Sequence, residues 1–493
     1  MSNLKTVLFC IIIGLIAQSA SAQLPIIKSN TFGGTGDDRI VKLLPNDQGG
    51  FTGVGYTTTA IDGNYGDYDC WFFTLDENFT SEIEKVFGTT KRDEVNDFIA
   101  VPNNRWLMMS TIDTLNGDVS THFGGSDAWL TMLDSEGNLM WEQSFGGEGT
   151  DILLKATINN NNELFLIGET DSDSLSLFGE TDIWVVKLDQ GGNLLWQQSY
   201  GTPQKDFGAD LFYNEVTDEL VIAGTTVPTA NGSKDYWIAK VNPDNGVLID
   251  SYTGGENKAD VPNKLLSLPD NRFALVGETF SDGQAGNGDW FLAVVNADLT
   301  DADFYFYGGS SLDIPKDAIL TSEGAIAIIG ETFSFDGDIP FGYLSVDVWF
   351  LEVETNGEIK NSMVFGGNNY DSGFSILETS NNQFVIGGYT DSYDVDLAMK
   401  HGNHFAWVFE ISNWLTGIES NVNFSENWNL FGNRLVKKGE AVPSHLQIFD
   451  MTGKEVFTIK EKTTSFTIPN LPTGLYQIRI SANESIHHFT ISK

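Results

Sequence analysis

The chain has 493 residues, 41% of them hydrophobic, with 51 glycines and 13 prolines, which is enough apolar material for a large core joined by many tight turns. Twenty-seven Lys and Arg stand against 68 Asp and Glu, a formal net charge of -41. A surface that negative repels phosphate backbones and anionic lipid, so nucleic acid is excluded as a partner, while cations, basic proteins and neutral glycans are left.

Residues 1–22 read as a signal peptide: a basic start in "MSNLK", the apolar stretch "TVLFCIIIGLIA", and the small-residue cleavage pattern "ASA" at 20–22. The mature chain is expected to begin at Gln23. Cys10 lies inside the apolar stretch and not at the cut, so lipoprotein processing is not expected. Maturation then leaves Cys70 alone, without an intrachain disulfide, and an exported chain of this kind must rely on core packing. No other apolar run approaches the length of a membrane helix, so no membrane-spanning segment is expected.

From here one pattern recurs seven times. An aromatic residue precedes a glycine turn that ends in Asp: "FGGTGDD" at 32–38, "FGTTKRD" at 87–93, "FGGEGTD" at 145–151, "YGTPQKD" at 200–206, "TGGENKAD" at 253–260, "YGGSSLD" at 307–313 and "FGGNNYD" at 365–371. A Gly-x-Thr segment ends 25 or 26 residues after each aromatic origin, at Thr57, Thr170, Thr226, Thr279, Thr332 and Thr390, with Ile112 in the second copy. A tryptophan follows every time: Trp71, Trp129, Trp184, Trp237, Trp290, Trp349 and Trp407. Three landmarks at matching offsets define a repeat of roughly 55 residues.

Each copy contains four short β-branched and aromatic runs, in the third "ILLKATI", "ELFLIGET", "IWVVKLD" and "LLWQQSY", separated by Asn/Gly turns. Both faces of these runs are apolar, as expected of small sheets sandwiched between neighbours. The predicted fold is therefore all-β, a seven-bladed β-propeller of four-stranded blades over residues 23–412. The last copy lacks a fourth strand after "FAWVFEIS", and the mature chain opens with "LPIIKSNTF", a fourth strand without a first three. Pairing these two closes the ring and removes an open edge. The glycine turns become the crossovers from the outer strand of one blade to the inner strand of the next.

"FGGTGDD", "NELFLIGET" and "SDAWLTMLDSEGN" resemble the bacterial β-propeller repeat family over about residues 24–412, which implies the fold more than an activity. Residues 413–420 read as a linker. The charge then changes: residues 418–493 hold 8 Lys/Arg and 7 Asp/Glu, while residues 23–417 hold 18 and 61. "LQIFDMTGKEV", a hairpin around Thr452-Gly453, "LPTGLYQIRI" and the terminal "FTISK" resemble the C-terminal sorting domain of type IX secretion cargo, placed at 421–493. The family's "YPNP" opening is absent, with "WNLFGNRLV" in its place. The segment is expected to be a small β-sandwich with a buried face carrying Tyr476, Ile478 and Ile480. The resemblance implies a Bacteroidota-type bacterium, recognition by the type IX machinery, and delivery to the outer cell surface or the medium after Sec export.

Chemistry is sparse. From the Gly-x-Thr segment to Trp the spacing runs 14, 17, 14, 11, 11, 17 and 17, whereas the other intervals hold nearly constant. These second-to-third-strand loops, among them "IDGNYGDYD", "DSDSLSLFGE" and "DSYDVDLAMKHGNH", mix carboxylates with aromatics and fall on the crossover face, where a binding surface is expected. Asp stands two residues before Trp at Asp69, Asp127, Asp182, Asp235 and Asp347, next to Trp at Asp289, and is replaced by Phe405. Repetition assigns these carboxylates, and the turn carboxylates Asp151, Asp206 and Asp313, to tying loops to backbone amides; the tryptophans are assigned to the core. "DGNYGDYD" and "DSDS" offer oxygens to Ca²⁺ without following a 12-residue calcium loop. His401 and His404 with Asp394 or Asp396 form a loose zinc-like grouping. The only other propeller histidine is His122, and no G-x-S-x-G elbow or phosphate loop occurs. No residue is nominated as catalytic, cofactor-binding or metal-binding, and no cofactor is expected. The expected function is a monomeric binding or scaffold module for a glycan or protein ligand. The alternative is a glycan-active hydrolase or lyase using carboxylates or Tyr in the funnel.

Overall fold

The computed structural model describes residues 26–411, apart from loop segments at 60, 62–64, 176–177, 228–232, 282–287, 341, 343–344, 380–382 and 394–404, together with the strands between 428 and 492. The chain divides after Asn413 into two compact units.

The first unit is seven antiparallel four-stranded sheets. Blade 3 is representative: Asp151–Ile158, Leu164–Thr170, Asp182–Leu188 and Leu194–Tyr200, in that spatial order. The third strand is buried along its whole length, while the outer strand is largely exposed. Trp71, Trp129, Trp184, Trp290, Trp349 and Trp407 are among the largest fully buried side chains. Burying an aromatic of this size contributes on the order of 1.5–3 kcal/mol, so these residues hold blade to blade as expected.

The ring closes as the sequence requires. Ile26–Phe32 pairs antiparallel with Phe405–Ile411 and completes the sheet begun by Asp371–Glu378 and Phe384–Thr390. Ser29 Oγ accepts from Trp407 Nε1 at 2.9 Å, and Lys28 lies 3.3 Å from Glu410. The same strand reaches blade 1: Phe32 packs on Trp71 and Phe73, with ring centroids 5.4 and 5.1 Å apart, and Asn30 donates to the Phe79 carbonyl. One strand thus secures two blades.

Every inner strand carries a β-bulge at the same place, between Ile40 and Lys42, Val95 and Asp97, Leu153 and Lys155, Gly208 and Asp210, Pro262 and Lys264, Pro315 and Asp317, and Gly373 and Ser375. A bulge adds one unpaired residue and sharpens the twist.

The fifth copy corrects the sequence reading twice. Asp289 pairs with Thr279 as Asp69 pairs with Thr57, so the carboxylate keeps its place and the tryptophan has moved. Phe291 occupies the usual Trp position, and Trp290, one residue earlier, faces the other side of the sheet and meets Trp349 with centroids 4.0 Å apart. The aromatic slot before the turn is held by Gly254, which pairs with Tyr236, and not by Thr253. A Cβ on Gly254 would collide with the Tyr236 hydroxyl, so that tyrosine fills the space the missing aromatic leaves.

In the second unit His445–Asp450 and Glu455–Ile459 pair antiparallel and are extended by Leu475–Ala482 and Ser485–Ser492 into a four-stranded sheet; Thr452 and Gly453 lie outside the described residues. Trp428–Phe431, Arg434–Lys437 and Ser465–Thr467 make a separate three-stranded sheet. Leu446 and Ile448 are buried and pair with Ile480 and Ile478; the side chains of Tyr476, Ile478 and Ile480 lie outside the described residues.

Candidate functional site

The crossover face is built on carboxylates. In all seven turns the final Asp accepts the backbone N–H of the residue four positions earlier, for example Gly34 to Asp38 at 2.8 Å, Gly147 to Asp151 at 2.6 Å and Gly309 to Asp313 at 2.9 Å. These seven side chains are fully buried. In five copies the Gly-x-Thr hydroxyl and a second hydroxyl two residues later also donate to it, as Thr332 and Ser334 do to Asp313 at 2.5 and 3.0 Å. The second and fourth copies lack that pair, having Ile112-Asp113-Thr114 and Thr226-Val227-Pro228. In those two copies alone a Thr follows the first turn glycine, and its hydroxyl supplies the donor: Thr89 to Asp93 at 3.0 Å, Thr202 to Asp206 at 2.9 Å. A buried carboxylate short of donors is costly, and the sequence compensates locally.

The Asp before Trp ties the variable loop in the same way. Asp69 accepts from Tyr65 and Gly66, Asp127 from Phe123 at 2.6 Å, and Asp182 from Phe178 at 2.9 Å. Each lies beside the turn carboxylate of the following blade with one glycine between. A Cβ on Gly88 would meet Asp69 and Asp93 oxygens at 2.5 and 2.6 Å, and Gly146 and Gly308 are flanked alike by Asp127 with Asp151 and by Asp289 with Asp313. Burial, then like charge, pushes Asp289 up to about 7 beside Asp313 and Asp338. Burial also lifts Asp93 to about 7 against its hydrogen bonds, with Asp69 adding to the rise. Phe405 breaks the series only at the closing blade.

Two rings of side chains line the channel. The upper ring comes from the residue after each turn Asp and its cross-strand partner: Arg39 with Tyr56, Glu94 with Thr111, Ile152 with Glu169, Phe207 with Thr225, Val261 with Glu278, Ile314 with Glu331, and Ser372 with Tyr389. Across blades 6, 7 and 1 this ring is a continuous ledge. Tyr370 stacks on Tyr389 with centroids 5.5 Å apart and planes 8° from parallel. The Arg39 guanidinium lies 4.2 Å from the Tyr389 ring and 5.6 Å from Tyr56, and Tyr56 meets Tyr68 edge-on at 5.2 Å. Asp37 fixes Arg39 through two bonds of 3.1 Å and accepts from the Tyr68 hydroxyl at 2.7 Å, which, with burial, raises the Tyr68 phenol to about 12. At the ledge's far end Glu331 accepts from Ser372 at 2.6 Å and lies 3.4 Å from Lys316. Across the mouth Glu169 is raised to about 7 by burial against the pull of Lys234, which itself lies over Phe207 at 4.3 Å.

The lower ring follows the bulge: Lys42, Asp97, Lys155, Asp210, Lys264, Asp317 and Ser375. Charge alternates blade by blade. An odd ring cannot alternate all the way round, and the seventh place is neutral, with Ser375 Oγ accepting from the Leu43 amide at 3.1 Å. Lys42 lies 2.7 Å from Asp317, and Lys264 lies 3.5 Å from Asp317 and 3.6 Å from Asp210. Burial works against these charges, yet Lys42 and Lys264 hold Asp317 well below the ordinary carboxylate range, and Asp210 and Asp317 hold Lys264 above its ordinary value.

Neither ring was identified from sequence; the signal available was the first and fourth residues after each turn Asp. In "DSDS" Asp171 and Ser172 serve the third turn, where Asp171 accepts from the Thr150 amide and Ser172 from Gly149 while donating to Asp151. His122 contacts the Gly125 carbonyl at 3.0 Å and lies 3.5 Å from Asp127. Asp394, Asp396, His401 and His404 lie outside the described residues, as does part of "DGNYGDYD". No cluster of three or more metal-ligating side chains occurs among the described residues. Cys70 is buried, donates to Ser110 Oγ at 3.2 Å, and burial raises its thiol well above the ordinary value.

Residues 428–492 match the secretion system C-terminal sorting domain family. This segment is a type IX sorting domain. It directs the protein to the cell surface or beyond, and its match begins at the strand Trp428–Phe431, the "WNLF" that stands in place of the family's "YPNP" opening. No curated protein matches the chain in sequence. Among solved structures, the WD40 domain of Pan2 from Neurospora crassa is 10% identical, with 76% of this chain and 89% of that one covered and a TM-score of 0.42. The propeller domain of the Trilobed protease from Pyrococcus furiosus is 12% identical, with 76% and 94% covered and a TM-score of 0.41. The extracellular domain of a putative one-component system from B. thetaiotaomicron is 12% identical, with 93% of this chain but 57% of that one covered, at a TM-score of 0.39. Among the described residues no helix is long and apolar enough to cross a membrane.

Proposed function

We propose that this exported propeller is a binding module that takes a neutral glycan at the crossover-face mouth of its channel. The observation that carries this is the ledge across blades 7 and 1, in which Tyr389 is buried between Tyr370 and Arg39 while Tyr370, Tyr56 and Tyr68 are partly exposed. Aromatic faces stack on the C–H faces of sugars, while carboxylates such as Glu169 and Glu331 accept from hydroxyls. The net charge of -41 argues for a neutral ligand over an anionic one. Surface delivery by the sorting domain places the module where glycans are met.

The test is a screen of the mature chain against neutral oligosaccharides, followed by Tyr68→Ala and by exchange of the longer variable loops for shorter ones. Tyr68 is the outermost ring of the ledge, so its loss should weaken binding about tenfold or more without unfolding the blade. Binding indifferent to Tyr68 and to every loop exchange would place the ligand elsewhere. A second reading, glycan hydrolysis, is favoured by one feature: Glu169, at about 7, is half protonated at neutral pH and suited to donate a proton. Release of new reducing ends, lost in Glu169→Gln, would establish it in place of simple binding.

A further inference from the structure

Beside the lower ring lies a half-open pocket of about 440 Å³, lined by residues of the inner strands of blades 1 to 5. This lies within the range of small-molecule sites, about 300–1,000 Å³. Its walls are apolar, among them Leu44, Ile99, Phe212 and Leu266, and its charged end is the ring itself, where Lys42, Asp97, Asp210 and Lys264 face it. Asp210, Lys264, Asp317 and Lys42 form one continuous run of ion pairs, and Asp97 pairs separately with Lys155 at 3.6 Å. Between these runs, Lys42 and Asp97 are ring neighbours of opposite charge that both line the cavity, and no ion pair joins them within 4.0 Å among the described residues. The Asp97 side chain is 8% exposed and that of Lys42 15%, so each charge is largely desolvated. Each already has one partner, Asp317 for Lys42 and Lys155 for Asp97, and a further opposite charge is worth most in so desolvated a setting.

We propose that this cavity binds a small zwitterion with an apolar side chain, an α-amino acid or a dipeptide, whose carboxylate lies against Lys42 and whose ammonium lies against Asp97. The ligand completes the alternation across the open junction, and its side chain lies on the Leu44, Ile99 and Phe212 walls. An anion alone would leave Asp97 facing extra negative charge, and a cation alone would do the same to Lys42. Requirement for both charges is thus the signature of the site. It is independent of the glycan ledge, which lies at the opposite end of the inner strands.

The experiment is calorimetric titration of the mature full chain with L-leucine, L-phenylalanine and L-leucyl-L-leucine, alongside 4-methylpentanoate, which lacks the ammonium, and 3-methylbutylamine, which lacks the carboxylate. Saturable binding of at least one zwitterion is expected, with both single-charge analogues weaker by roughly tenfold or more, the loss expected for one charge-assisted hydrogen bond. In Asp97→Asn the zwitterion should lose its advantage over 4-methylpentanoate. The wild-type comparison stands even if that variant folds poorly. No saturable binding of any of the three zwitterions, or equal binding of the single-charge analogues, overturns the proposal and leaves the cavity to water.

Discussion

Replacing Asp289 by Asn should make the propeller more stable at pH 8.5, with a much smaller gain, about 1–1.5 kcal/mol at most, at pH 5. Asp289 is 3% exposed and sits between Gly308, Asp313 and Asp338, and its Oδ1 has no hydrogen-bond partner among the described residues. Burial, then repulsion from Asp313 and Asp338, raises it to about 7, whereas in the unfolded chain it returns to about 3.9. A folded-state value above the unfolded one means that the protonated form is favoured by folding. Its contribution is therefore fully present below about pH 4 and is lost as pH rises through about 7. Between those values the native state holds about one more proton than the unfolded state at this site, so stability falls by about 1.4 kcal/mol per pH unit. Three units at about 1.36 kcal/mol each set an upper value near 4 kcal/mol, and local relaxation reduces this to about 2–4 kcal/mol. Asn mimics the protonated acid and removes the loss. Urea denaturation followed by tryptophan fluorescence at pH 5, 7 and 8.5 reads the effect directly. The wild-type trend alone is insufficient, because relief of the -41 net charge by acid has the same sign; the decisive quantity is the slope difference between variant and wild type. An Asn variant with an unchanged slope, or one less stable than wild type at pH 8.5, would refute the reasoning.

Thr89→Gly should cost about 1–3 kcal/mol, because it removes the hydroxyl that the second turn substitutes for the missing Gly-x-Thr donor to Asp93. Adding Ile112→Thr should recover part of that loss, and a double-mutant cycle measures the coupling, expected at about 0.5–2 kcal/mol. A chain beginning at Gly33 loses the strand Ile26–Phe32 and exposes the edge of Phe405–Ile411; its thermal midpoint should fall well below that of the intact protein, and an equal midpoint would rule out closure by this strand. A reporter fused ahead of residues 428–492 should reach the cell surface or medium in a type IX-competent host, and stay inside without that segment.

The parts of the fold readable from sequence are those the ring repeats unchanged. Crossover turns, the strand that closes blade 7 and, in all copies but the fifth, the core tryptophan counted from the turn that follows it sit at nearly fixed offsets, because every blade must meet a like neighbour at the same angle. The sorting domain was readable from its own motifs for the same reason. The two channel rings were not, because their value lies in how the copies differ. Arg39, Glu94 and Ile152 occupy one structural position with three chemistries, and a search for likeness passes over such a column. Charge alternation at Lys42, Asp97 and Lys155 becomes visible only when the bulge before each is known. The fifth copy departs for a related reason: the large Trp290 reads as the anchor in sequence, whereas the register is held by Asp289 and Thr279.

Hydrogen exchange of the mature chain, with and without a glycan retained in the screen, tests the binding surface most directly. Slower exchange confined to the ledge segments around Tyr56, Tyr68, Tyr370 and Tyr389, with saturation and no cleaved product, is the predicted result. Protection on the exposed outer strands such as Leu194–Tyr200, or at the far end of the channel, would contradict it, as would turnover of the glycan.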